Sequence, residues 1–166
     1  MRPILLLLAA SMASLVLACA AAAIVDQATI IVNKGAGGVT LGMTRAQVVA
    51  VLGKPLYENS YGYMQYSSKN LFDVYRSGSR TGRVDMLGIS GPRFCLRNGI
   101  CMLRRNNVAA LKQKFGKRLT FHKLSDGTLF YRVSGSFQGR RSYTEFDVDG
   151  PNRPARIIMI WVAWKR

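Results

Sequence analysis

Histidine is almost absent from this chain: His122 stands alone among 166 residues. A serine or cysteine nucleophile paired with an imidazole base would have to use it. It sits between Phe121 and Lys123 on an expected strand, where a lone histidine reads as a surface or packing residue. Cysteine is scarce too, with three in the chain, and two cysteines plus one distant histidine are too few ligands for zinc. Acidic residues number only eight, are scattered, and form no helical metal motif. Asp147-Val148-Asp149-Gly150-Pro151-Asn152 has the oxygens of half a calcium loop, without the distal glutamate, and reads equally well as a hairpin turn. Gly35-Ala36-Gly37-Gly38 lacks the Gly-Lys-Ser/Thr ending of a phosphate loop. The expectation is a protein without catalytic residues, metal or cofactor.

What the chain has in excess is positive charge, 24 Lys and Arg for a formal net charge of +16. No acidic residue falls between Asp85 and Asp126, a stretch holding Arg93, Arg97, Arg104, Arg105, Lys112, Lys114, Lys117, Arg118 and Lys123. Such a field attracts polyanions.

The N-terminus decides which polyanions are relevant. Arg2 precedes an uncharged run from Ile4 to Val25, apolar at Leu5–Leu8 and small at Ala20–Ala23. That is the pattern of a secretory signal, cut after Ala20 or Ala23. Val16-Leu17-Ala18-Cys19 also resembles a lipobox, which would make Cys19 a lipidated first residue. Left uncut, the 22-residue run is long enough to span a bilayer. All three alternatives put residue 26 onward outside the cytoplasm. Expected partners are therefore an envelope protein or an anionic envelope polymer rather than nucleic acid, with a membrane tether through Cys19 or the N-terminal segment in two of the three cases.

Cys95 and Cys101 fit an oxidising compartment. A three-residue loop, Arg97-Asn98-Gly99 with Gly99 left-handed, brings Leu96 opposite Ile100 and Cys95 opposite Cys101. That register suits a disulfide.

Residues 26–38 read as a linker. Thr44 with Gln47 forms a capping-box pattern, and Gly53 with Pro55 stops a helix near 44–52. Tyr61–Tyr66, Leu71–Arg76 and Arg83–Ser90 alternate as strands. A second helix follows on Val108, Leu111 and Phe115, ended by Gly116. Gly53-Lys54-Pro55-Leu56 aligns with Gly116-Lys117-Arg118-Leu119, and Phe72-Asp73-Val74 with Phe146-Asp147-Val148. The expectation is an α+β fold of two tandem copies, 39–92 and 93–166, each a helix on its own three- or four-stranded antiparallel sheet.

Strand parity separates a helix-facing side from an outer side. Ile158, Ile160 and Val162 are assigned to the core, with Phe72, Val74, Leu129, Tyr131 and Val133. Ile157 and Ala163 then face outward. So do Tyr61, Tyr63, Tyr75, Phe130, Arg132, Tyr143, Met159 and Trp161, which form the candidate binding surface. Aromatic and arginine side chains dominate interface energetics.

Val39-Thr40-Leu41-Gly42-Met43-Thr44-Arg45-Ala46-Gln47-Val48, running on to Leu52-Gly53-Lys54-Pro55, resembles the opening of the SmpA/OmlA (BamE-type) family of envelope-assembly lipoproteins. The same pattern is similar to the repeats of the β-lactamase inhibitor protein fold. The resemblance implies a non-enzymatic extracytoplasmic module that binds protein or envelope components. An inhibitor of a secreted hydrolase, presenting the hairpin at Arg97-Asn98-Gly99, is the alternative expectation.

Overall fold

The computed structural model describes residues 29–67, 71–77, 82–104, 107–150 and 155–165. The N-terminal segment 1–25 with Cys19, and Arg105 of the basic stretch, lie outside these residues.

The elements in chain order are β1 (Thr29–Ile31), β2 (Gly35–Ala36), β3 (Val39–Thr40), α1 (Arg45–Leu52), β4 (Tyr57–Glu58), β5 (Tyr63–Gln65), β6 (Leu71–Arg76) and β7 (Val84–Ser90). After them come β8 (Cys95–Leu96), α2 (Asn107–Phe115), a short 3-10 turn, β9 (Leu119–Lys123), β10 (Leu129–Phe137), β11 (Arg140–Val148) and β12 (Ile157–Trp164).

Helix α1 forms where its end signals place it. Thr44 caps it with a complete capping box, and the Gly53 N–H closes it on the Val49 carbonyl with φ at 79°. In α2, Val108 and Leu111 are buried, and Gly116 begins the 3-10 turn.

The expected architecture of two small helix-on-sheet copies is overturned. The described residues are 47% strand and 16% helical, so the protein is mostly β. Its centre is one eight-stranded antiparallel sheet in the order β4-β5-β6-β7-β12-β11-β10-β9. β7 pairs with β12 through Ile89–Ile160, Gly88–Trp161, Leu87–Val162 and Met86–Ala163, so no boundary divides the sheet. That pairing joins segments about seventy residues apart, which local periodicity does not encode.

A second sheet, β3-β2-β1-β8, includes the stretch read as a linker. Ile30, Ala36 and Val39 are buried in the core. The turn after β1 docks on β11: the Asn33 N–H donates to Thr144 Oγ1 at 2.6 Å, and the Ser142 hydroxyl donates to the Asn33 carbonyl at 2.9 Å. Gly135 makes this approach feasible, because a Cβ there would fall 2.2 Å from the Asn33 amide nitrogen.

The core lies between this assembly and one face of the large sheet. Phe72, Val74, Leu87, Ile89, Val133, Phe146, Ile160 and Val162 meet Val48 and Leu52 of α1, Leu111 of α2, and Ile30. One parity assignment reverses. Ile157 is buried and Ile158 is 39% exposed, because a bulge opposite Asp147 and Val148 shifts the start of β12 by one residue.

The hairpin after β8 has the expected register. The Leu96 N–H bonds the Ile100 carbonyl, Gly99 has φ at 86°, and Cys95 and Cys101 are disulfide-bonded. Such a bridge is compatible with an extracytoplasmic compartment. Among the described residues no helix is long and apolar enough to cross a membrane.

An ion-pair clasp ties α1 to the first strands. Glu58 receives Arg45 at 2.7 Å and Arg76 at 2.8 Å, and the Arg76 side chain is fully buried. Glu58→Ala takes the Glu58 partner from a buried guanidinium and should destabilise by about 3 kcal/mol. The check is a lower denaturant midpoint at unchanged slope. Replacing Cys95 and Cys101 together by alanine should cost about 2 kcal/mol through lost loop closure. Intact mass before and after denaturing reduction confirms the bridge by a gain of two hydrogens.

Candidate functional site

The outer face of the large sheet alternates with the core residues and turns away from both helices. Its register brings Tyr57, Tyr63, Tyr75 and Trp161 into a row across β4, β5, β6 and β12, reached through Met86 and Gly88 of β7. Successive ring centroids are 5.9, 5.2 and 6.1 Å apart, with tilted planes. These are favourable aromatic-pair distances. Tyr57 is 54% exposed, and Tyr63, Tyr75 and Trp161 are half-buried.

Trp161 is fixed from two sides. Its ring lies on Gly88, where a Cβ would come within 2.6 Å of a ring carbon. Its indole N–H donates to Asp147 Oδ2 at 2.9 Å.

Two carboxylates stand behind the aromatic row. Asp73 is 3% exposed and accepts hydrogen bonds from the Tyr63 and Tyr75 hydroxyls. Burial raises the Asp73 pKa above the ordinary aspartate value, against the lowering effect of those two bonds. Asp147 is raised mainly by burial, with Glu145 adding to it and Trp161 opposing. The Tyr63 hydroxyl is pushed up to about 12, first by burial and then by its bond to Asp73. Oδ1 of each aspartate is buried without a hydrogen-bond partner. Asp147 and Asp149 do not converge on a shared point, since Asp149 bonds the Arg156 backbone N–H and guanidinium. Pro151 and Asn152 lie outside the described residues. Among those residues no group of three His, Cys, Asp or Glu could hold a metal ion.

Beyond Asp147, Arg132 pairs with Glu145 at 2.6 Å and covers the rings of Phe130 at 5.1 Å and Tyr143 at 4.6 Å. Of the residues expected to form one binding surface, Tyr63, Tyr75, Arg132, Tyr143, Met159 and Trp161 share this face and are partly exposed. Two depart from that surface. Phe130 has outer parity but is 3% exposed, stacked on His122 at 4.9 Å and lying beside Arg132. Tyr61 belongs to the β4–β5 turn, 82% exposed, because β5 starts two residues later. Tyr57, Asp73 and Asp147 were not anticipated here. The available signal was their parity, which matches Tyr75 and Trp161.

The basic residues occupy other surfaces. Arg93, Arg97, Arg104, Lys112, Lys114, Lys117, Arg118 and Lys123 are all exposed, on the disulfide hairpin and its flanks, α2, the 3-10 turn and β9. Lys112 lies over the Tyr131 ring at 5.4 Å.

Compared with known proteins, the chain matches no family model, no curated protein and no solved structure.

A carboxylate whose folded pKa exceeds its unfolded value binds more protons when folded. Its contribution to stability is therefore fully present below the unfolded pKa and is lost as pH rises through the raised one. Asp73→Asn keeps an acceptor for the tyrosines and removes the charge. It should be more stable than the parent at neutral pH and should show a smaller loss of stability between pH 4 and 7. Urea midpoints measured across that range test this, and equal pH profiles would mean Asp73 titrates normally.

Proposed function

We propose that this protein is a non-enzymatic, extracytoplasmic binding module whose outer sheet face docks an envelope protein. The observation that carries the reading is the row Tyr57-Tyr63-Tyr75-Trp161, half-exposed on a sheet face that the core does not use. Rigid aromatic side chains already held in place lose little entropy on binding. Trp161, seated on Gly88 and bonded to Asp147, meets that condition. Arg132, lying over the Tyr143 ring on the same face, adds a second residue type that dominates interface energetics. The N-terminal segment, the disulfide and the resemblance of residues 39–55 to envelope lipoproteins support the location. Under this reading the module is released by cleavage of the N-terminal segment or is tethered to the membrane through Cys19 or that segment left uncut.

Trp161→Ala and Tyr63→Ala should each reduce capture of a partner from envelope extract at least tenfold, with the fold kept at the assay temperature despite a lower melting temperature. Gly88→Ala should weaken capture by displacing the indole while keeping it in the chain. The bound species must be competed off by excess soluble parent protein. Unfolding of both alanine variants, or full capture by them, would remove this face from recognition.

A further inference from the structure

At one end of the large sheet, where β7 and β11 begin and β12 ends, lies a cleft of about 560 Å³. Three cations from separate parts of the chain border it: Arg83 before β7, Arg140 at the start of β11, and Lys165 after β12. None of the three forms an ion pair among the described residues, and all are exposed. Both guanidinium groups are nevertheless anchored, and Lys165 is held through its backbone. Arg83 Nη1 donates to the Gly42 carbonyl at 3.0 Å, and the Arg140 guanidinium lies 4.6 Å from the Trp164 ring centroid. The Lys165 backbone N–H bonds the Arg141 carbonyl at 3.0 Å. Anchored guanidinium groups suit recognition of phosphate oxygens, because their donors are pre-oriented.

We propose that this cleft binds a phosphate group carried on a compact organic body. Among the described residues Asp85 is the one carboxylate on its wall, so three cations against one acid leave a local charge of about two there. A phosphomonoester is nearly dianionic at neutral pH, its second pKa being about 6. Met86, Ala163 and the Tyr143 ring supply an apolar wall for the organic part. The volume falls within the range of about 300–1,000 Å³ typical of small-ligand sites. The cleft goes beyond the docking reading, since it lacks the Tyr63–Trp161 row, and it contains none of the cations from the basic stretch 93–123.

The probe is phenyl phosphate, titrated calorimetrically into the full chain at physiological ionic strength, with inorganic phosphate and a long polyphosphate chain in parallel. Phenyl phosphate should bind one to one and tighter than inorganic phosphate. The variant Arg140→Gln/Lys165→Gln should lose roughly tenfold in affinity, as expected for removing charge-assisted contacts. Lys114→Gln/Lys117→Gln, with the same loss of charge elsewhere, should stay within about twofold. Trp161→Ala should bind phenyl phosphate normally, so failure of the docking face and failure of the cleft are read separately. Affinity should fall as pH drops through the second phosphate pKa. If polyphosphate competes with phenyl phosphate, a polymer end group shares the cleft; if it does not, the cleft serves free small esters. No saturable phenyl phosphate binding, or equal losses in the two double variants, overturns the proposal, because the general field of the chain would then account for any anion uptake.

Discussion

The pairing of β7 with β12 governs what this molecule can present. These strands come from distant parts of the chain, and their ladder runs from Ile89–Ile160 to Met86–Ala163. On the inner face it joins Leu87 and Ile89 to Ile160 and Val162, giving one core under both helices. On the outer face it places Trp161 over Gly88 and within 6.1 Å of Tyr75. A one-residue slip would exchange the two faces, burying Trp161 and exposing Val162. Core formation and the alignment of the aromatic row are thus the same register choice. The shape of Gly88 adds a local check, since any side chain there would collide with the indole.

Charge is distributed against the overall balance. A chain of net charge +16 uses several of its few carboxylates as fixed internal partners. Glu58 holds Arg45 and Arg76, Glu145 holds Arg132, and Asp149 holds Arg156. Asp73 and Asp147 instead serve tyrosine and tryptophan donors on the outer face. Exposed lysines and arginines follow α2, the 3-10 turn and β9, while Arg83, Arg140 and Lys165 collect at one end of the large sheet. The carboxylates are thus largely spent on internal partners, and the exposed charge of the surface is left mainly to lysine and arginine.

The features legible in the sequence were those with local causes. The ends of α1 follow from Thr44, Gln47, Gly53 and Pro55, all within a dozen residues. The disulfide follows from a three-residue loop and its register. Strand β6 follows from simple alternation. The continuous sheet was not legible, because β7 and β12 meet only in the folded chain. Nor was the small sheet, since β2 and β3 are two residues each and gain stability from Asn33 contacts with Ser142 and Thr144, more than a hundred residues away. Ile157 and Ile158 exchanged faces because a bulge adds a residue that strict alternation does not count. Phe130 had the right parity, but parity does not report the His122 ring stacked on it.

The cost of the outer face argues for its use. A sheet surface that only needed to remain wet would carry solvated threonines and lysines. Here a 3% exposed aspartate sits under two tyrosines, and both Asp73 and Asp147 leave one oxygen without a partner. Burying a carboxylate in this way opposes folding unless hydrogen bonds compensate it fully. The core gains nothing from either group, since both lie on the opposite side of the sheet from Val48, Leu52 and Leu111. What they do accomplish is to hold Tyr63, Tyr75 and Trp161 in fixed orientations. Local departures from the most stable arrangement belong at functional positions, and these departures converge on the face that carries the Tyr57-Tyr63-Tyr75-Trp161 row.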